Sequence, residues 1–181
     1  MKRHLVTTVV MVLFPVILQA QEHRHADAHE HGIVQLDIAI EDKTADIDLE
    51  APAFNIYGFE HRPVSAADKA KQNAGLEKIR KNLTNLIQFQ PDAGCSIRVG
   101  KLAWVLETAQ GHNQGTQQGE HSVVQGEFKV TCKKSLPGTK LRLGFSRMFR
   151  EFNLNKVRVQ AVTADRQTSK DILNDEGEVQ L

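Results

Sequence analysis

Four histidines stand within nine residues near the amino end of the chain, His23, His25, His29 and His31, interleaved with Glu22, Asp27 and Glu30. They form two His-x-His pairs. Residues two apart in an extended segment project to the same side, so each pair has the geometry to chelate one ion. Neutral imidazole is a borderline ligand that suits zinc, copper and nickel, and a histidine-rich tract of this kind points to metal binding. The competing reading is a merely soluble tail or an expression tag, and the interleaved acids argue against a tag. A second group is dispersed. His61 closes Gly58-Phe59-Glu60-His61, while His112, Glu120 and His121 lie in a glycine-rich stretch. Three or four N and O ligands drawn from two loops complete a tetrahedral zinc site if the fold brings them together. The alternative for each is a surface or capping residue.

What positions these residues begins with a leader. Lys2, Arg3 and His4 precede an apolar run over residues 5–18, and the small residue Ala20 follows, which is the order of a secretory signal peptide over residues 1–20. A membrane span needs about 20 apolar residues; this run is shorter, contains Pro15 and gives way to Gln19, Gln21 and Glu22. No cysteine ends the leader to carry a lipid, so we expect no membrane anchor. Residues 21–31 hold no apolar side chain larger than alanine. Burial cannot offset the entropy of ordering them, and we expect a mobile, disordered tail. Residues 32–181 are then of a size for a single domain.

Within that domain, Ile33, Val34, Leu36, Ile38 and Ile40, the turn Glu41-Asp42-Lys43, and Ala45, Ile47 and Leu49 alternating with Asp46, Asp48 and Glu50 predict two antiparallel strands. Pro52 ends the second, and a mixed apolar and turn segment leads to Pro63. Ser65 is a helix cap, and apolar spacing over residues 66–89 predicts one long helix, with Gly75 as a place where it could break. Further strands are expected over 95–106, 122–132, 140–145 and 156–163, with a weaker one over 169–173. The polar, glycine-rich stretch containing His112 and His121 reads as a hairpin loop. The fold class is α+β, a mainly antiparallel sheet with one long helix.

Cys95 and Cys132 are the two cysteines of an exported chain, and a single disulfide is their natural reading. The chain-entropy model gives such a bridge roughly 4 kcal/mol. Thiolate ligation lacks a C-x-x-C spacing to support it. Without Lys2 and Arg3 the mature chain is close to neutral, no run of lysine and arginine is present, and aromatic residues are scattered, so no nucleic-acid partner is expected. Nucleophile elbows, HExxH and phosphate-cradling glycine loops are missing from the sequence, and we expect no enzymatic activity.

In order, then, come a leader, a tail ending in His31-Gly32, two strands, the segment APAFNIYGFEH over residues 51–61, a helix, a cysteine, a loop ending at His121 and a second cysteine. This succession resembles the ZrgA-like family of periplasmic zinc-binding proteins, most specifically in GFEH and the preceding APAFN. The resemblance implies a protein that assists zinc uptake alongside a zinc ABC importer, and strengthens His61, His112 and His121 as ligands. The family's dense central histidine and aspartate tract is replaced here by glycine and glutamine, with His112 and His121 the loop's only histidines. One ordered site plus weaker chelation by the tail is therefore expected. Cleavage after Ala20 would leave Gln21-Glu22-His23 at the amino terminus, where the amine, two amides and the His23 imidazole can form a square-planar site for Cu2+ or Ni2+; the alternatives are an accidental arrangement or a Gln21 that cyclises and removes the amine. The reading from another class is an envelope structural or interaction protein whose tail binds copper or nickel incidentally.

Overall fold

The computed structural model describes residues 30–107 and 121–181. The expected leader, its cleavage point, His23, His25, His29, His112 and Glu120 lie outside the described residues.

The two predicted amino-terminal strands form a hairpin, β1 (Ile33–Glu41) and β2 (Thr44–Pro52), paired from Gln35 opposite Glu50 to Glu41 opposite Thr44. Asp42 turns it with φ 48°, a left-handed conformation that aspartate tolerates better than most residues. Alternation holds over the middle of the hairpin: Leu36, Ile38, Ile47 and Leu49 are buried, whereas Asp37, Asp46 and Asp48 face solvent. β4 (Ser96–Glu107) and β5 (His121–Thr131) pair antiparallel around the glycine-rich loop, so its flanks form the expected hairpin. With β7 (Lys156–Val162) and β8 (Gln167–Leu173) these strands form one sheet in the order β4-β5-β2-β1-β7-β8. Only β1 and β7 pair in parallel within it, which keeps the sheet mainly antiparallel.

Among the elements that cover the buried face are the one-turn helix α1 (Phe54–Tyr57), the long helix α2 (Ala66–Lys81), and a small sheet of β3 (Ile87–Phe89), β6 (Lys140–Leu143) and β9 (Val179–Gln180). A single apolar cluster joins Leu36, Ile47 and Phe128 of the large sheet to Ile79, Leu86, Leu141, Phe145 and Phe149. Ser65 caps α2 by accepting the Asp68 N–H at 3.0 Å, as predicted.

The long helix is shorter than the expected 66–89. It stops at Asn82, whose φ of −122° leaves the helical range and whose side-chain amide donates to the Lys78 carbonyl at 2.8 Å. A single turn, α3 (Leu83–Leu86), and β3 follow. The apolar spacing continues through them because Leu83, Leu86 and Ile87 are buried in the same cluster by a different backbone. Gly75 does not break α2. A Cβ there would lie 3.0 Å from the Ile56 carbonyl oxygen and 3.1 Å from the Tyr57 Cβ, so glycine is what lets α2 close onto α1. The strand expected over 140–145 ends at Leu143, where the chain turns into the short helix α4 (Phe145–Met148). Asp175 accepts the N–H groups of Ser146 and Arg147 at 2.8 and 2.7 Å and satisfies that helix start.

Cys95 and Cys132 are bridged, immediately before β4 and immediately after β5. The bridge ties the end of that hairpin opposite the loop. Among the described residues no helix is long and apolar enough to cross a membrane.

Candidate metal centre

Three segments that are far apart in sequence meet at the carboxylate of Glu60. Nε2 of His31 lies 2.9 Å from its Oε1, and Nδ1 of His121 lies 2.8 Å from its Oε2. The carboxylate side chain is 13% exposed, against 58% for His31 and 62% for His121. One largely covered acid thus sits beneath two imidazoles that face water.

His31 is held from both sides. After it the chain turns at Gly32 with φ 89°, and a Cβ there would come within 3.1 Å of the Asn153 carbonyl oxygen. The Gly32 N–H donates to Oδ1 of Asn55 at 3.0 Å, and Asn55, fully buried, donates its own amide to the Phe152 carbonyl at 3.0 Å. The Gly32 carbonyl accepts from the N–H groups of Asn155 and Lys156. Phe54, at the start of α1, stacks on the His31 ring at 5.2 Å between centroids and 23° between planes. Asn55 and Phe54 therefore fix the backbone at Gly32 and the way the His31 ring is turned.

Glu60 is placed by the exit from α1. Gly58 ends that turn in the left-handed conformation and donates to the Phe54 carbonyl at 2.8 Å. Phe59 then packs on Tyr57 at 4.7 Å, and the Glu60 carbonyl accepts the hydroxyl of Ser122 at 2.5 Å. Ser122 is itself buried, and its carbonyl accepts the Ala53 N–H. Successive residues of a strand point to opposite sides. The first two residues of β5 use this: His121 reaches the Glu60 carboxylate and Ser122 reaches the Glu60 backbone.

Tyr57 lies beneath the centre, 3% exposed, and its hydroxyl has no hydrogen-bond partner among the described residues. Burial pushes the phenol up to about 12, with the Glu60 charge adding to the rise; the Gln72 and Ser122 side chains approach without bonding geometry and act in the opposite direction. The group is neutral at any physiological pH.

His61 is placed apart from the carboxylate. Its ring stacks on Phe59 at 4.6 Å and its Nδ1 lies 3.1 Å from the Arg62 carbonyl oxygen. Of the residues singled out in the sequence, His31, Glu60 and His121 are brought together, His61 is a neighbour, and His23, His25, His29, His112 and Glu120 lie outside the described residues. Among the described residues no three His, Cys, Asp or Glu side chains converge in a geometry that holds an ion. What converges is a pair of imidazoles on a shared carboxylate. The cysteines offer no thiolate, since both are in the bridge. Phe54 and Asn55 lie in the APAFN segment that carries the resemblance but have no assigned role in the sequence, and nothing local marks Ser122.

Fold and centre together define a disulfide-bridged α+β protein that presents two exposed imidazoles, His31 and His121, on one carboxylate. Over residues 28–181 the chain matches the family described as ZrgA family zinc uptake protein, and it belongs to that family. His31, Glu60 and His121 all fall inside the match. No curated protein matches the chain.

Proposed function

We propose that this protein is a non-enzymatic periplasmic zinc-binding protein that captures zinc and assists its uptake alongside a zinc ABC importer. The observation that carries the reading is the gathering of His31 and His121 on Glu60. Those imidazoles end the two histidine-bearing segments of the chain, and zinc takes nitrogen ligands at tetrahedral positions that such segments supply. Membership in a zinc uptake family supports the cargo, and the disulfide fits an oxidising compartment reached through the expected leader. In this reading the tail histidines His23, His25 and His29 collect zinc, His61, His112 and Glu120 are secondary ligands, and the Glu60 centre is the ordered station. Chelation by few protein ligands gives modest affinity, which suits delivery rather than storage.

A zinc titration of the mature chain with and without residues 21–30 tests this. Removing them lowers the number of ions bound and leaves one, which disappears on H31A/H121A substitution. A shortened chain that binds no zinc, or binds it undiminished after both substitutions, contradicts the reading.

A further inference from the structure

We infer that Glu60 is a positioning residue for zinc rather than a ligand, and that it selects which nitrogen of each histidine meets the ion: Nδ1 of His31 and Nε2 of His121. The inference rests on the zinc reading above. A carboxylate only accepts hydrogen bonds, so both ring nitrogens facing Glu60, Nε2 of His31 at 2.9 Å and Nδ1 of His121 at 2.8 Å, carry the proton. A neutral imidazole has one N–H and one lone pair, and the bond made by one nitrogen decides the state of the other. The lone pair of His31 is thereby assigned to Nδ1 and that of His121 to Nε2. Neither of these nitrogens is in a hydrogen bond among the described residues. They sit on side chains 58% and 62% exposed, while the carboxylate is 13% exposed.

The surroundings agree with a supporting part for Glu60. Both of its oxygens are already engaged by imidazoles, and its backbone carbonyl is held by the buried Ser122 hydroxyl. The stacking of His31 on Phe54 fixes the plane in which its Nδ1 is presented. Metal-binding histidines commonly donate their second ring N–H to a carboxylate, and losing that partner costs about 10–100-fold in metal affinity. Here one carboxylate serves two histidines. With Glu60 in this part, the described residues supply two ligands and the remaining positions go to other histidines or to water, which accords with the lack of a three-ligand cluster among them.

Glu60→Gln separates the two roles. The amide has a single acceptor oxygen and turns its NH2 toward one imidazole, so that imidazole must present its lone pair to the amide and carry its proton on the nitrogen meant for zinc. We expect E60Q to bind Zn2+ about 10–100-fold more weakly, with an unchanged melting temperature. At saturation with Co2+ it should show the same d–d band positions as the wild type, because the ligand set is retained. Long-range 1H–15N correlation spectra of the zinc-loaded wild-type protein, which need no variant, should place the ion on Nδ1 of His31 and Nε2 of His121. Shifted Co2+ bands in E60Q, or zinc on the opposite nitrogens, would overturn the assignment while leaving the zinc site standing. A wild-type protein in which neither histidine responds to zinc would instead overturn the zinc reading itself.

Discussion

Asn55 is the residue on which the amino-terminal half of the centre depends. It has no exposed surface and spans from the Gly32 N–H to the Phe152 carbonyl, so Asn55→Ala removes the partner of a buried donor and of a part-buried acceptor. An unsatisfied buried group costs about 1–3 kcal/mol. N55A should lose about 2–4 kcal/mol in a urea denaturation and release His31 from its Phe54 stack. A loss below 1 kcal/mol would mean that water replaces the amide. Asp48 is a different case, on the solvated face of the sheet. It stands directly opposite Asp37 on one side and Glu127 on the other. Burial raises its pKa above the ordinary carboxylate value, and the charges of Glu127, Asp37 and Asp46 raise it further. The folded value exceeds the unfolded one, so the ionised group opposes folding. That penalty is complete above the folded pKa and fades as pH falls through it. Asp48→Asn should therefore stabilise the protein near neutral pH by a few tenths of a kcal/mol, the low end for a cross-strand pair because the site is exposed. The gain should vanish below about pH 3. Equal denaturation midpoints for D48N and the wild type at pH 7 would contradict it.

At the scale of elements, the packing of α2 on α1 places the whole APAFNIYGFEH segment. Gly75 permits it, and Gly75→Ala should cost about 1–3 kcal/mol by overpacking against the Ile56 carbonyl, although alanine is the better helix former by about 1 kcal/mol. A thermal scan reads the sign: a higher melting temperature for G75A would show that the two helices yield freely. The hairpin of β1 and β2 was legible because its side chains alternate with period two. The end of α2 was not, because Leu83, Leu86 and Ile87 keep the apolar spacing going while the backbone changes from helix to strand. The parallel pairing of β1 with β7 and the two-residue β9 leave no local mark in the sequence, since the partner strands decide both. The disulfide followed from compartment and count alone.

Over the whole molecule, the sheet brings together residues that sequence spacing holds apart. His31 and Glu60 are 29 positions apart and His121 is 61 beyond Glu60, which explains why the three could be picked out one by one but not as a single group. By spacing His31 reads as the last histidine of the amino-terminal tract, while in the fold the next residue, Gly32, is bonded to the buried Asn55. His61 sits beside Glu60 in the chain, and its ring stacks on Phe59. In the proposed function the two gathered imidazoles hold one zinc ion. The direct test is a double-mutant cycle of zinc affinity with His31→Ala, His121→Ala and the pair, in mature protein shortened by residues 21–30. If both bind the same ion, the second substitution costs much less once the first is made, and the coupling should exceed about 1 kcal/mol. Losses that add within about 0.3–0.5 kcal/mol, as for independent sites, would show that the histidines do not share an ion.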